Sequence, residues 1–421
     1  MTSNGIMGTI GLTEDQRPSR RSGRSRKPCL DALLPLALLA TPACSWFDGL
    51  SLGKSLIDQS NDGAVTDANG GVGTGVRDSR VPEGTCVSAR PPPPRPGVSS
   101  AAGDSEFVVA FRTEDVGSSD DSNGVPRFLK IGYDLDQTCT GNGAGPSCAE
   151  PSWATADHTD GQDGRDNAVG RLLYEVRPEG GMDADIGQNA DINDGTLTAL
   201  VRVSGYNGSS NDDRVRVDMF GATLNEVNAP DAGRSPTWDG ADEWFAYADW
   251  VARPDGGVPA PEILAQYSDT SAYVTDGILV AHFPQVPLGP VLITFDVWVT
   301  ARVTMSDSRW ALREGTLAGR MPIDSVLAAA TFDSKPQLCA NDPKYPMLQK
   351  LACSIADIRT TTESNPSDGT TGSDSECNAA SLAFLFTADP ARLVGTTEKP
   401  FPTGACDTDV APGINSRCSD L

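Results

Sequence analysis

Between Ile293 and Thr304 two kinds of side chain alternate without a break. Ile293, Phe295, Val297, Val299, Ala301 and Val303 form one set, and Thr294, Asp296, Trp298, Thr300, Arg302 and Thr304 form the other. A strand turns successive side chains to opposite faces, so the alternation predicts a long strand with one face dry and one wet. Shorter segments repeat it. Val215, Val217 and Met219 alternate with Arg214, Arg216 and Asp218, and Leu197 to Val203 is the partner across the Gly205 to Gly208 turn region. Phe107 to Phe111, Phe128 to Leu135, Trp244 to Val251, Tyr273 to Phe283 (folding back at Asp276-Gly277) and Trp310 to Arg320 (turning at Glu314-Gly315) complete the set of predicted strands.

Beyond Pro322 the period changes. Ile323 to Phe332 is rich in Ala, and Leu348, Leu351, Ala352, Ile355 and Ile358 recur at helical spacing, before Ala380, Leu382, Phe384 and Phe386 return to strand alternation. The expected fold is therefore mainly β: an antiparallel β-sandwich of jelly-roll type, residues 105–400, with a small disulfide-stapled helical insertion at about 322–375 and a Cys-containing tail at 401–421.

The N-terminal part has a different composition. A basic run from Arg17 to Lys27, an apolar run from Leu30 to Ala40 and small residues before Cys44 predict a signal peptide over 1–43. Thr41-Pro42-Ala43-Cys44 is lipobox-like, which makes Cys44 the lipidation site; ordinary cleavage after Ala43 is the alternative. Residues 44–104 are Gly, Ser, Asp and Pro with a run from Pro91 to Pro96, a flexible tether. The expected address is the outer membrane or cell surface, as a lipoprotein or a secreted protein, touching membrane only through a lipid anchor. The net charge of -24 argues against nucleic acid as a partner.

Setting aside Cys29 and Cys44, eight of the 10 cysteines remain: Cys86, Cys139, Cys148, Cys339, Cys353, Cys377, Cys406 and Cys418. An even set in an exported chain predicts disulfides. Cys139 with Cys148 across a Gly-rich loop is the first expected pair, leaving Cys86 to one of the later five. With no C-x2-C and only His158 and His282, structural zinc is not expected.

Asp157, Asp160, Asp163 and Asp166 recur every third residue with Gly161 and Gly164 between them. Asp-Gly pairs turn tightly, and crowded carboxylates attract a hard cation with oxygen ligands. This predicts a Ca2+ loop using those four with Asn167, which also caps a helix through Val169, Leu172, Leu173 and Val176. Asp191, Asn193 and Asp194 are further candidate metal ligands in a turn ahead of the next strand. A solvated acidic loop is the alternative in a chain this acidic.

Trp298 falls on the wet face of the long strand between Asp296 and Thr300. An indole can stack on a sugar ring while Asp296 and Arg302 bind hydroxyls, so glycan or another envelope component is the expected ligand. Cover by another element is the competing outcome for Trp298. No G-x-S-x-G, H-E-x-x-H or E-x-D-x-E occurs, so no catalytic residues are assigned and a carbohydrate-active enzyme ranks below a binding or adhesive role. The leader, the lipobox-like Cys44, the tether, Asp163 to Ala168 and the Asn207-Gly208 turn together resemble uncharacterised bacterial secreted lipoproteins. That resemblance implies a β-sandwich body and no assigned activity.

Overall fold

The computed structural model describes residues 86–90, 95–97, 103–141, 144–154, 158–175, 184–224, 234–253, 263–288, 292–333, 339, 341–360, 376–398 and 418. They all belong to a unit starting at Pro42. The predicted leader, Cys44, most of the tether, Asp157, and the tail apart from Cys418 lie outside them.

Among the described residues nine strands form one sheet. They are β1 (Ser105–Asp115), β2 (Thr198–Tyr206), β3 (Asp212–Thr223), β4 (Glu243–Tyr247), β5 (Tyr267–Thr275), β6 (Ile278–Pro287), β7 (Ile293–Ser306), β8 (Arg309–Pro322) and β9 (Ala379–Thr397). Helix α1 (Ala168–Glu175) and helix α2 (Ala184–Asp194) fall between β1 and β2; α3 (Ile323–Asp333) and α4 (Tyr345–Ser354) fall between β8 and β9.

The expected sandwich does not form; the sheet closes into an 8-strand antiparallel barrel. Antiparallel pairings link β1 to β2, β2 to β3, and β5 through β9 in turn. Two long-range pairings then join the pieces. β3 pairs with β5, and β1 pairs with β9 from Val108↔Ala391 to Asp115↔Leu385. Two stacked sheets would leave their edges unpaired, whereas closure gives every ring strand two neighbours.

Val109, Phe111, Val201, Val203, Val217 and Met219 face a common core with Leu279, Phe283, Val297, Val299, Leu317 and Phe384. β4 stands outside the ring, antiparallel to the end of β3 and parallel to the end of β9. Its Trp244 and Ala246 cover outward residues Ala110, Leu200 and Phe220.

Three local expectations are corrected. In β7 the buried parity switches at Asp296 (φ 50), where the register with β8 slips between Phe295 and Trp298. Thr294 is fully buried and Ile293 44% exposed, the reverse of the simple alternation, while Val297, Val299 and Ala301 face inward. A bulge inserts one residue and flips every side chain before it. Trp310 to Arg320 is no hairpin: β8 runs through Glu314-Gly315 with a register shift, and the turn lies at Asp307-Ser308 (φ 50 and 63). Both central residues at positive φ fit the twist of a tight hairpin. Phe128 to Leu135 is not a strand but a 3-10 turn, Arg127–Lys130, and a connection laid over the outer wall, with Phe128, Leu129, Ile131 and Leu135 buried.

The disulfides also differ from expectation. Cys86 joins Cys139, Cys148 joins Cys377 and Cys353 joins Cys418; Cys339 is disulfide-bonded as well. Cys139 and Cys148 diverge because Ala149 bridges to Glu376, setting Cys148 against Cys377.

Candidate metal centre

The connection from β1 to α1 crosses the outer wall of the barrel and is pinned back at Asn167. Asn167 Oδ1 accepts the N–H of Gly170 at 3.1 Å and that of Ala383 in β9 at 3.0 Å. One buried amide thus caps α1 and ties it to the wall. Gly132 (φ 110) makes this close approach possible, since a Cβ there would sit 2.9 Å from the Asp166 carbonyl oxygen and from Ala383 Cβ.

Asp166, one residue before the cap, turns the other way. Its Oδ2 accepts the N–H groups of Leu135 (2.6 Å) and Asp136 (3.3 Å). Asp134 Oδ1 and Asp136 Oδ1 both accept the N–H of Thr138, at 3.1 and 2.8 Å. One oxygen from each of Asp134, Asp136 and Asp166 lies within 4.8 Å of the others. A Ca2+ ion about 2.4 Å from each oxygen spans that separation.

Asp134 and Asp166 are 3% and 2% exposed, and Asp134 Oδ2 is buried with no hydrogen-bond partner. A bare buried carboxylate oxygen is costly unless a proton or cation meets it. Asp160 adds a fourth carboxylate, its Oδ2 accepting the N–H of Thr140 at 2.6 Å. Asp357 brings a fifth from the connection before β9, held by the N–H of Ser381 at 2.8 Å and by its hydroxyl.

Burial and mutual repulsion push these groups up. Asp160 is raised to about 8 by burial and the Asp136 charge, and Asp136 to about 6 by burial, with Asp357 and Asp134 adding repulsion. Asp166 is raised well above the ordinary value by burial, then by Asp136, Asp160 and Asp357; burial raises Asp357 too. The basic side chains beside the cluster have other partners as well. Arg165 pairs with Asp163 at 3.0 Å, Arg171 donates to the Thr159 carbonyl, and His158 Nδ1 lies 2.8 Å from Glu150 without an aligned hydrogen bond. A cavity of about 260 Å³, counting space open to solvent, is lined by His158, Asp160 and Asp357 and opens the cluster's flank.

Of the predicted ligands, Asp160 and Asp166 are in this cluster, and Asn167 beside it serves as a cap. Asp163 points away: at φ 59 its side chain is 56% exposed and pairs with Arg165. Asp191, Asn193 and Asp194 end helix α2 instead of forming a turn, and Asp194 Oδ1 accepts the N–H and hydroxyl of Thr196. Asp134, Asp136 and Asp357 were not foreseen. The D-x-D of Asp134 to Asp136 just before Cys139 was the available signal for two of them.

The predicted glycan residues lie on the outer wall. Asp296 accepts from His282 at 2.7 Å and from buried Arg320 at 3.1 Å, and these two more than offset burial, holding it below the usual carboxylate range. The Trp298 ring stacks on His282 at 4.4 Å and packs beside Ile131 and Leu135. Arg302, farther along β7, pairs with Glu314 at 2.9 Å.

The chain matches no family model, no curated protein and no solved structure.

Proposed function

We propose that this chain is an exported, lipid-tethered envelope protein whose barrel carries a structural Ca2+ ion at Asp134, Asp136 and Asp166, with Asp160 and Asp357 flanking it. The observation that carries the metal is Asp134 Oδ2, a buried acceptor with no donor, on a residue that brings its carboxyl group within 4.8 Å of those of Asp136 and Asp166. The donors are all oxygens, at a separation that Ca2+ spans, which favours calcium. The ion fixes the β1-to-α1 connection, which has little core of its own. Disulfides and the leader-like start support export.

Part of the outer wall carries charge: Arg202 and Arg216 both pair with Asp218 there, at 2.6 and 2.8 Å. A transmembrane barrel carries an apolar band on that face, so attachment through Cys44 suits this wall better than insertion. Among the described residues no helix is long and apolar enough to cross a membrane.

The test is a Ca2+ titration of chelator-treated protein followed by calorimetry and thermal unfolding. At one hundred times the dissociation constant the ion adds ~2.7 kcal/mol, a rise on the order of 5 °C in Tm. Asp134→Asn and Asp166→Asn should abolish the response. No binding heat and no shift at millimolar Ca2+ would overturn the metal. Export by lipidation is tested separately, by palmitate labelling that Cys44→Ser should remove.

A further inference from the structure

A second cavity, remote in chemistry from the acidic cluster, opens at one mouth of the barrel. Its floor is made by inward side chains of four ring strands: Phe111 of β1, Met219 of β3, Leu317 of β8 and Phe384 of β9. Tyr247 and Trp250 form one side, and Ile192 near the end of α2 and Leu288 just after β6 complete the lining. The empty volume is about 620 Å³, counting the space open to solvent. Small-molecule sites are commonly of this size, and an eight-stranded barrel has room for one small ligand at its mouth.

Two features narrow the ligand. The charged residues in the lining are Glu114 and Asp191, both acidic, with no Lys, Arg or His among the described lining residues. An anion entering this mouth finds two acidic side chains and no basic one among the described lining residues to pair with, and is disfavoured. The indole N–H of Trp250 is buried without an acceptor, its edge lying over Gly221 where a Cβ would come within 2.8 Å. A buried donor without a partner favours a ligand that brings an acceptor oxygen.

We propose that the barrel mouth is a binding site for a neutral apolar molecule bearing a hydroxyl or carbonyl oxygen, such as a fatty alcohol or ester. It discriminates against the corresponding carboxylate. The site is independent of the metal, which lies outside the wall.

The experiment uses the full chain with Ca2+ present and displacement of the neutral dye N-phenyl-1-naphthylamine, read with Trp fluorescence. Decan-1-ol should displace the dye, each methylene from hexan-1-ol upward should tighten binding roughly three- to fourfold, and decanoate should bind at least tenfold more weakly than decan-1-ol. Ala199→Phe, which fills the cavity from β2, should remove binding with Tm unchanged; if that variant does not fold, Leu197→Trp at the same cavity serves instead. Asp191→Asn should narrow the gap between alcohol and carboxylate. No displacement by decan-1-ol, equal affinity for decanoate, or wild-type binding in a folded blocking variant would each overturn the proposal.

Discussion

Arg320 shows how one side chain can hold the outer wall together. It is 1% exposed, and its guanidinium donates to Asp296 and to the main-chain carbonyls of Leu135 and Arg359, so strand β8, the connection that carries the aspartate cluster and the segment after α4 share one anchor. Arg320→Leu would strand those acceptors and should cost about 3–5 kcal/mol in a urea titration. Arg302→Leu, whose partner Glu314 is exposed, should cost less than about 1 kcal/mol. The aspartate cluster sets a second expectation. Asp136, Asp160 and Asp166 have folded values above their ordinary ones, so the folded state takes up protons there more readily than the unfolded chain. Their contribution is fully present below about pH 4 and is lost as pH rises through about 6 and 8. Chelated protein should therefore lose Tm between pH 5 and 8, and the gain from added Ca2+, which needs ionised ligands, should grow over the same interval. A flat chelated profile would show that the carboxylates do not crowd as described.

At the scale of elements, the strongest covalent tie crosses the fold. Cys148 and Cys377 are 229 residues apart in sequence and join the β1-to-α1 connection to the start of β9. Replacing both with Ser should cost about 2–5 kcal/mol in denaturant, and a non-reduced peptide map should recover the Cys148–Cys377 link and none between Cys139 and Cys148. Much of the strand content was legible, because Val215 to Met219 and Val297 to Ala301 bury alternate residues in the open. The bulge at Asp296 was not, since one inserted residue leaves no mark in composition. Nor was closure. Sandwich and barrel demand the same alternation, and only the β1–β9 and β3–β5 pairings tell them apart. For the metal centre, Asp160 and Asp166 were visible in their own repeat, but a three-residue period outside a helix does not keep side chains on one side, and Asp163 left the group. Asp134, Asp136 and Asp357 arrive from separate segments, which no local spacing announces.

For the whole molecule, the interior core, the outer layer under β4 and the connection under Arg320 are built on the same ring of strands. Aspartate cluster, disulfides and barrel should consequently unfold together. Coincident near-ultraviolet and far-ultraviolet transitions are expected in the Ca2+-loaded protein, and separated ones after chelation, when the connection loosens first. The join between the first and the last strand has a consequence for biogenesis. Val108 has to meet Ala391 before the cylinder is complete, so a polypeptide threaded across a membrane from its amino end cannot seal until nearly all of it has emerged. A chain exported in that way would wait on the far side as an open curl, with its apolar lining exposed to whatever holdase or protease is there, and stopping translation just short of β9 should yield a species that is degraded instead of folded.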